Sequence, residues 1–323
     1  MERLVTVAFS PHRVETLPFA EKLMSQHDII ILEEPPNKLF QNFLKEEISI
    51  EEYLKNTDFW FPTFIKESLK ILRGLYKKGK KIFQVEPYLE KVAFIQKELE
   101  NGNNIEKIIN TPELKEIYQV ENKAIGKLLE YYKVSLKDSF ENIIEAVKTF
   151  SKADAERFRL RDYLRAQAII KLLPEKGKVY IEAGTIHVYF KKLLHIHLGK
   201  TWRISHKYLL EKVLKSLIGK AWVFPPGELL TLRYILKRKE NKEKENLLAA
   251  RSLIYIKIIP KEELLPTPEE PFPHLKKELK AIQMVDKLSF QDCAKLYKEL
   301  FFIKNNEESE KIVEKYLKSN IIK

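Results

Sequence analysis

Four short apolar runs in this chain each close on an imidazole or a carboxylate: LVTVAFSPH, DIIILEEPP, KKIFQVEPY and KVYIEAGTIH. Amphipathic segments separate them, and alternation of apolar runs with helical patterns predicts an α/β fold with a parallel sheet. The run Ile29 to Leu32 suits a central strand covered on both faces. In open sheets of this kind, sites form at the carboxyl ends of the strands, which is where His12, Glu33, Glu86 and His187 fall. Imidazole and carboxylate together can bind a metal or move protons.

Between the first two runs, Thr16 and Pro18 start a helix whose apolar face is Leu17, Ala20, Leu23 and Met24. A right-handed crossover then sets the first two strands side by side. From Asn37 to Lys78 the pattern is helical, with Phe59, Trp60, Phe61 and Phe64 forming an aromatic stretch broken by Pro62. Pro87 ends the third strand directly after Glu86. Several helices follow, and the last, Ala153 to Leu172, carries Arg157, Arg161 and Arg165 on one face at i,i+4 spacing. The fourth strand spans Val179 to Ala183.

After Ser205 the texture changes to helices with proline-rich joints, FPPG and LPTPEEPFPH. The expected organisation is an α/β domain over residues 1–205, with a small, largely parallel sheet surrounded by helices, and a mostly helical C-terminal region over 206–323.

With 323 residues, of which 44% are hydrophobic, the chain can bury a substantial core. One cysteine, Cys293, rules out an internal disulfide and a cysteine-rich zinc site. No uncharged apolar run reaches the length of a membrane span, so the expected setting is the cytoplasm, without a membrane partner. A charged fraction of 32%, mostly Lys and Glu, is the surface style of thermophiles. The net charge of +12 is concentrated locally, with 13 Lys and Arg against 5 acids in Arg203 to Lys257. This segment mixes signs in KRKENKEKE, as a solvated helix face does. It also offers a surface for nucleic acid or an acidic partner. P-loop, dinucleotide-turn, Gly-x-Ser-x-Gly and His-Glu-x-x-His signatures are missing, which excludes the chemistries they carry.

The segments FSPHRVETLPFAEKLMSQHDIIILEEPPNKL, RDYLRAQAI and VYIEAGTIHVYFKKLL, in that order, resemble the TraB/PrgY and TIKI group within the superfamily that includes erythromycin esterase and ChaN-like proteins. That pattern is a strand ending in Gly-x-x-His, a strand ending in Glu with a basic residue soon after, an Arg-Asp helix and a second Gly-x-x-His. On it, His12 is the first histidine, Glu33 the strand-end acid and Lys38 the basic residue. Arg161 and Asp162 form the helix motif, and Gly184 and His187 the second strand-end motif. The likeness covers residues 4 to 195. It departs at Phe9, where glycine is expected, and at Pro11, which restricts the loop.

The resemblance implies hydrolysis of a peptide or ester bond in a small-molecule or peptide substrate. In one version, His12, Glu33, Glu86 and His187 hold a divalent metal, Zn, Mn or Co, with a position left for water. Of these, Glu86 rests on its position alone. In the other, a histidine is the general base and Arg161 steadies the developing oxyanion. The catalytic set is therefore His12, Glu33, Arg161 and His187. Glu34, Glu15 and Glu182 stand beside motif residues and substitute for them if the register is displaced by one. Arg157 and Arg165 read as ordinary helix salt bridges, and His195 and His197 as surface. The second reading is a noncatalytic binding protein in which the same polar cluster is structural and the basic Arg203 to Lys257 segment contacts nucleic acid or an acidic partner.

Overall fold

The computed structural model describes residues 2–55 and 61–321, with side chains to residue 319; Phe59 and Trp60 of the aromatic stretch lie outside the described residues. The protein is mostly helical, with a small parallel sheet and a helical C-terminal region. It divides into two units, residues 1–121 with 158–222, and residues 122–157 with 223–323. The expected change of texture at Ser205 lies inside a strand of the first unit.

The strands are β1 (Arg3–Ser10), β2 (Ile29–Leu32), β3 (Lys81–Gln84), β4 (Gly177–Gly184) and β5 (Arg203–Tyr208). Among the described residues they form one sheet in the order β3-β2-β4-β1-β5, with every pair parallel. The first two strands are thus not neighbours: β4, which follows β2 by well over a hundred residues, lies between them. Closing so long a connection costs little more than closing a short one, and the buried apolar stretch Val179 to Ile181 of β4 favours a position covered on both faces. In β1 every residue from Val5 to Ser10 is buried. The edge strands β3 (KIFQ) and β5 (RISHKY) carry the charges that discourage further strand addition.

Registers fix where the site lies. Ser10 of β1 is level with Gly184 of β4, so the loops that carry His12 and His187 leave the sheet side by side. Ile31 of β2 is level with Ile181 of β4, and Leu32 with Gln84 of β3, which brings Glu33 and Glu86 to the same rim.

Helices α1 (Leu17–Met24), α2 (Phe40–Leu44), α3 (Ile50–Leu54) and α4 (Pro62–Lys77) follow β1 and β2. Met24, Phe43, Leu72 and Leu75 from α1, α2 and α4 pack against Ile30 and Tyr180 of the sheet. After β3 come α5 (Pro87–Glu100), α6 (Ile105–Ile108), α7 (Pro112–Ser135) and α8 (Phe140–Leu172). Pro87 opens α5, where its missing N–H is no loss. Helices α9 (Val188–Leu198) and α10 (Glu211–Ile218) flank β5.

The second unit contains α11 (Pro226–Ile235), α12 (Lys242–Ile258), α13 (Pro273–Val285), α14 (Phe290–Leu300) and α15 (Asn306–Ile321). Its core gathers Ile144, Leu230, Leu253, Ile254, Val285 and Leu296 around the central α12. Ser289 and Asp292 form a reciprocal capping box that starts α14. Within the basic stretch 203–257, several cations have local partners: Arg203 with Glu2, Lys215 with Glu211 and Arg233 with Glu245. Among the described residues, no helix is long and apolar enough to cross a membrane.

Candidate functional site

Three of the four strand-end residues converge on the arginines of α8. Glu33 is the hub: its carboxylate accepts from Arg161 Nη2 at 2.8 Å and from the Gly184 N–H at 2.5 Å, with Arg165 Nη1 3.5 Å away. His187 Nε2 lies 2.8 Å from the same carboxylate. The other ring nitrogen of His187 meets Asp162, whose second oxygen accepts the N–H of Phe190 at 2.8 Å and so anchors the first turn of α9. Phe158 covers the ring edge-on. Glu86, 0% exposed, precedes α5 and faces Arg161 Nε at 3.1 Å and Arg165 Nε at 3.9 Å.

Arg165 is not the ordinary helix salt bridge expected of it. It is 1% exposed and donates to the carbonyls of Val85 and Glu182 at 2.9 and 2.7 Å, tying the ends of β3 and β4 together beneath Glu33. Its spacing from Arg161 was the signal, since i+4 places it on the same buried face. Arg157 does form a helical pair, with Asp154.

Electrostatics follow from this packing. Burial would raise the Glu33 carboxyl, but His187, Arg165 and Arg161 outweigh it and hold the group well below its ordinary value. For His187, burial opposes the charge, yet Glu33 and Asp162 push its pKa up to about 9, so the ring is an imidazolium near neutrality. Glu86 is raised by burial, against the pull of the two arginines.

His12 belongs to a different pair. Its Nε2 faces Glu182 Oε1 at 3.6 Å, and the other oxygen of Glu182 accepts the Glu33 N–H at 3.1 Å. The imidazole is 36% exposed. Its backbone has φ 49°, the left-handed region that costs a non-glycine residue about 1–2 kcal/mol. Such strain persists where the surroundings impose it and clusters at functional sites.

His12, Glu33, Glu34 and Glu182 share a pocket of about 240 Å³, walled by Phe61 and Phe64. Glu34 is the residue that the strand-end pattern underrated. Burial, and then the charge of Glu182, raise its pKa to about 7 against a hydrogen bond from Gln84. Glu182 had a visible signal, an acid inside the apolar run VYIEA. Glu15 is buried in the turn before α1, Lys38 is exposed, and His195 and His197 are exposed on α9.

Of the expected metal ligands, Glu33, Glu86 and His187 are engaged with one another or with the arginines of α8, and His12 faces Glu182. Among the described residues no three His, Cys, Asp or Glu side chains are grouped to hold one. His187 has Glu33 and Asp162 against its two ring nitrogens, and Arg161 and Arg165 stand against the Glu33 and Glu86 carboxylates. Arg161 likewise points its donors at these two carboxylates.

No family model and no solved structure matches this chain. An uncharacterized protein of Archaeoglobus fulgidus is 31% identical over 291 residues, which is 90% of this chain and 97% of that protein. That degree of likeness over nearly the whole of both chains places them together: this chain belongs to the same family as the Archaeoglobus fulgidus protein.

Proposed function

We propose that this protein is a TraB/TIKI-like hydrolase of peptide or ester bonds that works without a metal, through His12 and Glu182. The observation that carries the reading is His12 itself: an imidazole on a left-handed backbone at a pocket rim, with a carboxylate 3.6 Å from its Nε2. Glu182 faces the ring, and His12 becomes an imidazolium when it takes a proton from water. The water oxygen bonds to the carbonyl carbon, the C–O or C–N bond to the leaving group breaks, and the imidazolium returns the proton to that group. The Glu33, Arg161, His187 and Glu86 network is the rigid floor that holds Glu182 and the two loops in register. The cytoplasmic setting belongs to this reading too, since the single cysteine is buried and needs no oxidising compartment.

The test is hydrolysis of a panel of aryl esters and aminoacyl anilides by metal-free protein, with metal content measured in parallel. Turnover should survive chelation and fall about 10²–10⁴-fold in His12→Ala, the usual contribution of a general base. Turnover restored only by added metal, or unchanged in His12→Ala, would overturn it.

A further inference from the structure

We propose that the pocket beside His12 takes a ligand bearing a protonated amine, seated on the Glu34 carboxylate, so that the substrates are those with a free amine close to the bond being cut. The statement about the bond rests on the hydrolase reading above; the ammonium site does not.

The pocket lining carries three carboxylates, but they are not equivalent. The charge of Glu33 is taken up by Arg161, Arg165 and His187. Glu182 has His12 and the Glu33 N–H. Glu34 has a neutral partner, the Gln84 amide at 2.7 Å, and no cation among the described residues. A partly buried carboxylate beside a second one, without a counter-cation, is costly unless a proton or a ligand cation neutralises it. The chain as a whole has 58 Lys and Arg against 46 acids, so this locally acidic lining runs against its overall charge.

The carboxylate is also held in place. Gln84 accepts the Asn37 N–H at 2.9 Å through its side-chain oxygen, and its amide nitrogen donates both to Glu34 and to the Tyr53 hydroxyl, 3.2 Å away. The amide is thereby fixed with its donor face towards Glu34, an anchorage that an ordinary surface glutamate lacks. Around it, the walls are Leu32, Phe61, Phe64 and Ile65. A hard metal cation requires several oxygen donors together, and among the described residues no three His, Cys, Asp or Glu side chains are grouped to hold one. Carboxylate plus aromatic and aliphatic wall is instead the lining that suits an organic cation with a short hydrocarbon body. Phe61 already receives one such cation, the Arg13 guanidinium, 4.1 Å from the ring centroid. A volume of about 240 Å³ lies below the ~300–1,000 Å³ of sites for drug-sized ligands, and so admits a group the size of one residue.

The experiment is calorimetric titration of the full chain with n-butylamine and with n-butanol, its neutral match, at a pH where the amine is protonated. Butylammonium should bind about tenfold tighter than butanol or better, a difference of about 1.4 kcal/mol. That preference should vanish in Glu34→Gln and weaken in Glu34→Asp, with the fold of each checked by urea unfolding. Equal binding of amine and alcohol, or a preference that survives Glu34→Gln, would overturn the inference. Hydrolysis separates the two proposals. A protein that binds butylammonium through Glu34 yet cleaves nothing retains the ammonium site and loses the hydrolase reading. One that cleaves free-amine and N-acetylated substrates with the same KM, unaffected by Glu34→Gln, retains the hydrolase and loses the ammonium site.

Discussion

Nε2 of His187 lies 2.8 Å from Oε1 of Glu33, with both side chains at most 4% exposed. Each pulls the other towards its charged form, and the linkage can be read from the pKa shift. The folded pKa of His187, about 9, stands above its ordinary 6.5. Its contribution to stability is therefore complete below about pH 6.5 and is lost as pH rises through 9. At about 1.36 kcal/mol per unit, the loss is on the order of 3 kcal/mol. Urea unfolding of the wild type should show this decline between pH 6.5 and 10, and His187→Gln should not.

Removing the hub is expected to be worse than removing any one spoke. Glu33→Ala leaves the three buried cations Arg161, Arg165 and His187 with only Glu86 and Asp162 to balance them, and breaking a buried charge pair in this way costs about 3–5 kcal/mol. Arg161→Lys should also destabilise, because a single ammonium cannot reproduce the fork that meets Glu33 through Nη2 and Glu86 through Nε. Since these residues act as one network, the cost of Glu33→Gln combined with His187→Gln should fall short of the sum of the single variants by at least ~0.5 kcal/mol. Strict additivity in denaturant titrations would show that the pair is uncoupled.

Much of this network is legible in the sequence because the strands are legible. Apolar runs that close on Glu33, Glu86 and His187 belong to parallel strands, and parallel strands deliver their ends to one rim. The arginine spacing in α8 then points a cationic face at them. Two things were hidden. The strand β5 reads RISHKY, an edge with charges at both ends of its pattern, and lacks the continuous apolar run that marks β1, β2 and β4. The choice between Glu33 and Glu34 was hidden as well, since β2 ends at Leu32 and the period-two alternation of the pleat no longer governs where the next two side chains go. The pairing of His12 with Glu182, where His187 pairs with Glu33, has the same origin. Register sets their loops side by side, but a loop whose backbone turns left-handed at His12 carries that ring to Glu182 instead.

That left-handed turn yields a prediction of opposite sign for stability and activity. Glycine adopts φ 49° without a Cβ penalty, so His12→Gly should raise the unfolding free energy by up to ~1 kcal/mol after the entropy of glycine in the unfolded chain is set against the relieved strain. The same variant should lose hydrolysis as fully as His12→Ala. A His12→Gly protein less stable than His12→Ala would mean that the turn is not strained.

The pH dependence of amine recognition can be moved in both directions by the neighbours of Glu34. Burial is the larger cause of its raised pKa, about 7, with Glu182 adding to it and the Gln84 hydrogen bond opposing. Binding of an ammonium needs the ionised carboxylate, so butylamine affinity should rise with an inflection near pH 7 while the amine itself stays protonated. In Gln84→Met the carboxylate loses its amide donor, and the inflection should move up. In Glu182→Gln the neighbouring charge is gone, and it should move down towards the ordinary carboxyl range. Tyr53 also touches Gln84, so Tyr53→Phe should leave the direction unaltered and serve as the control for disturbance of that side chain. Calorimetric titrations across pH 5.5–8.5 distinguish these outcomes. Shifts of the same sign in Gln84→Met and Glu182→Gln would show that the inflection belongs to a group other than Glu34.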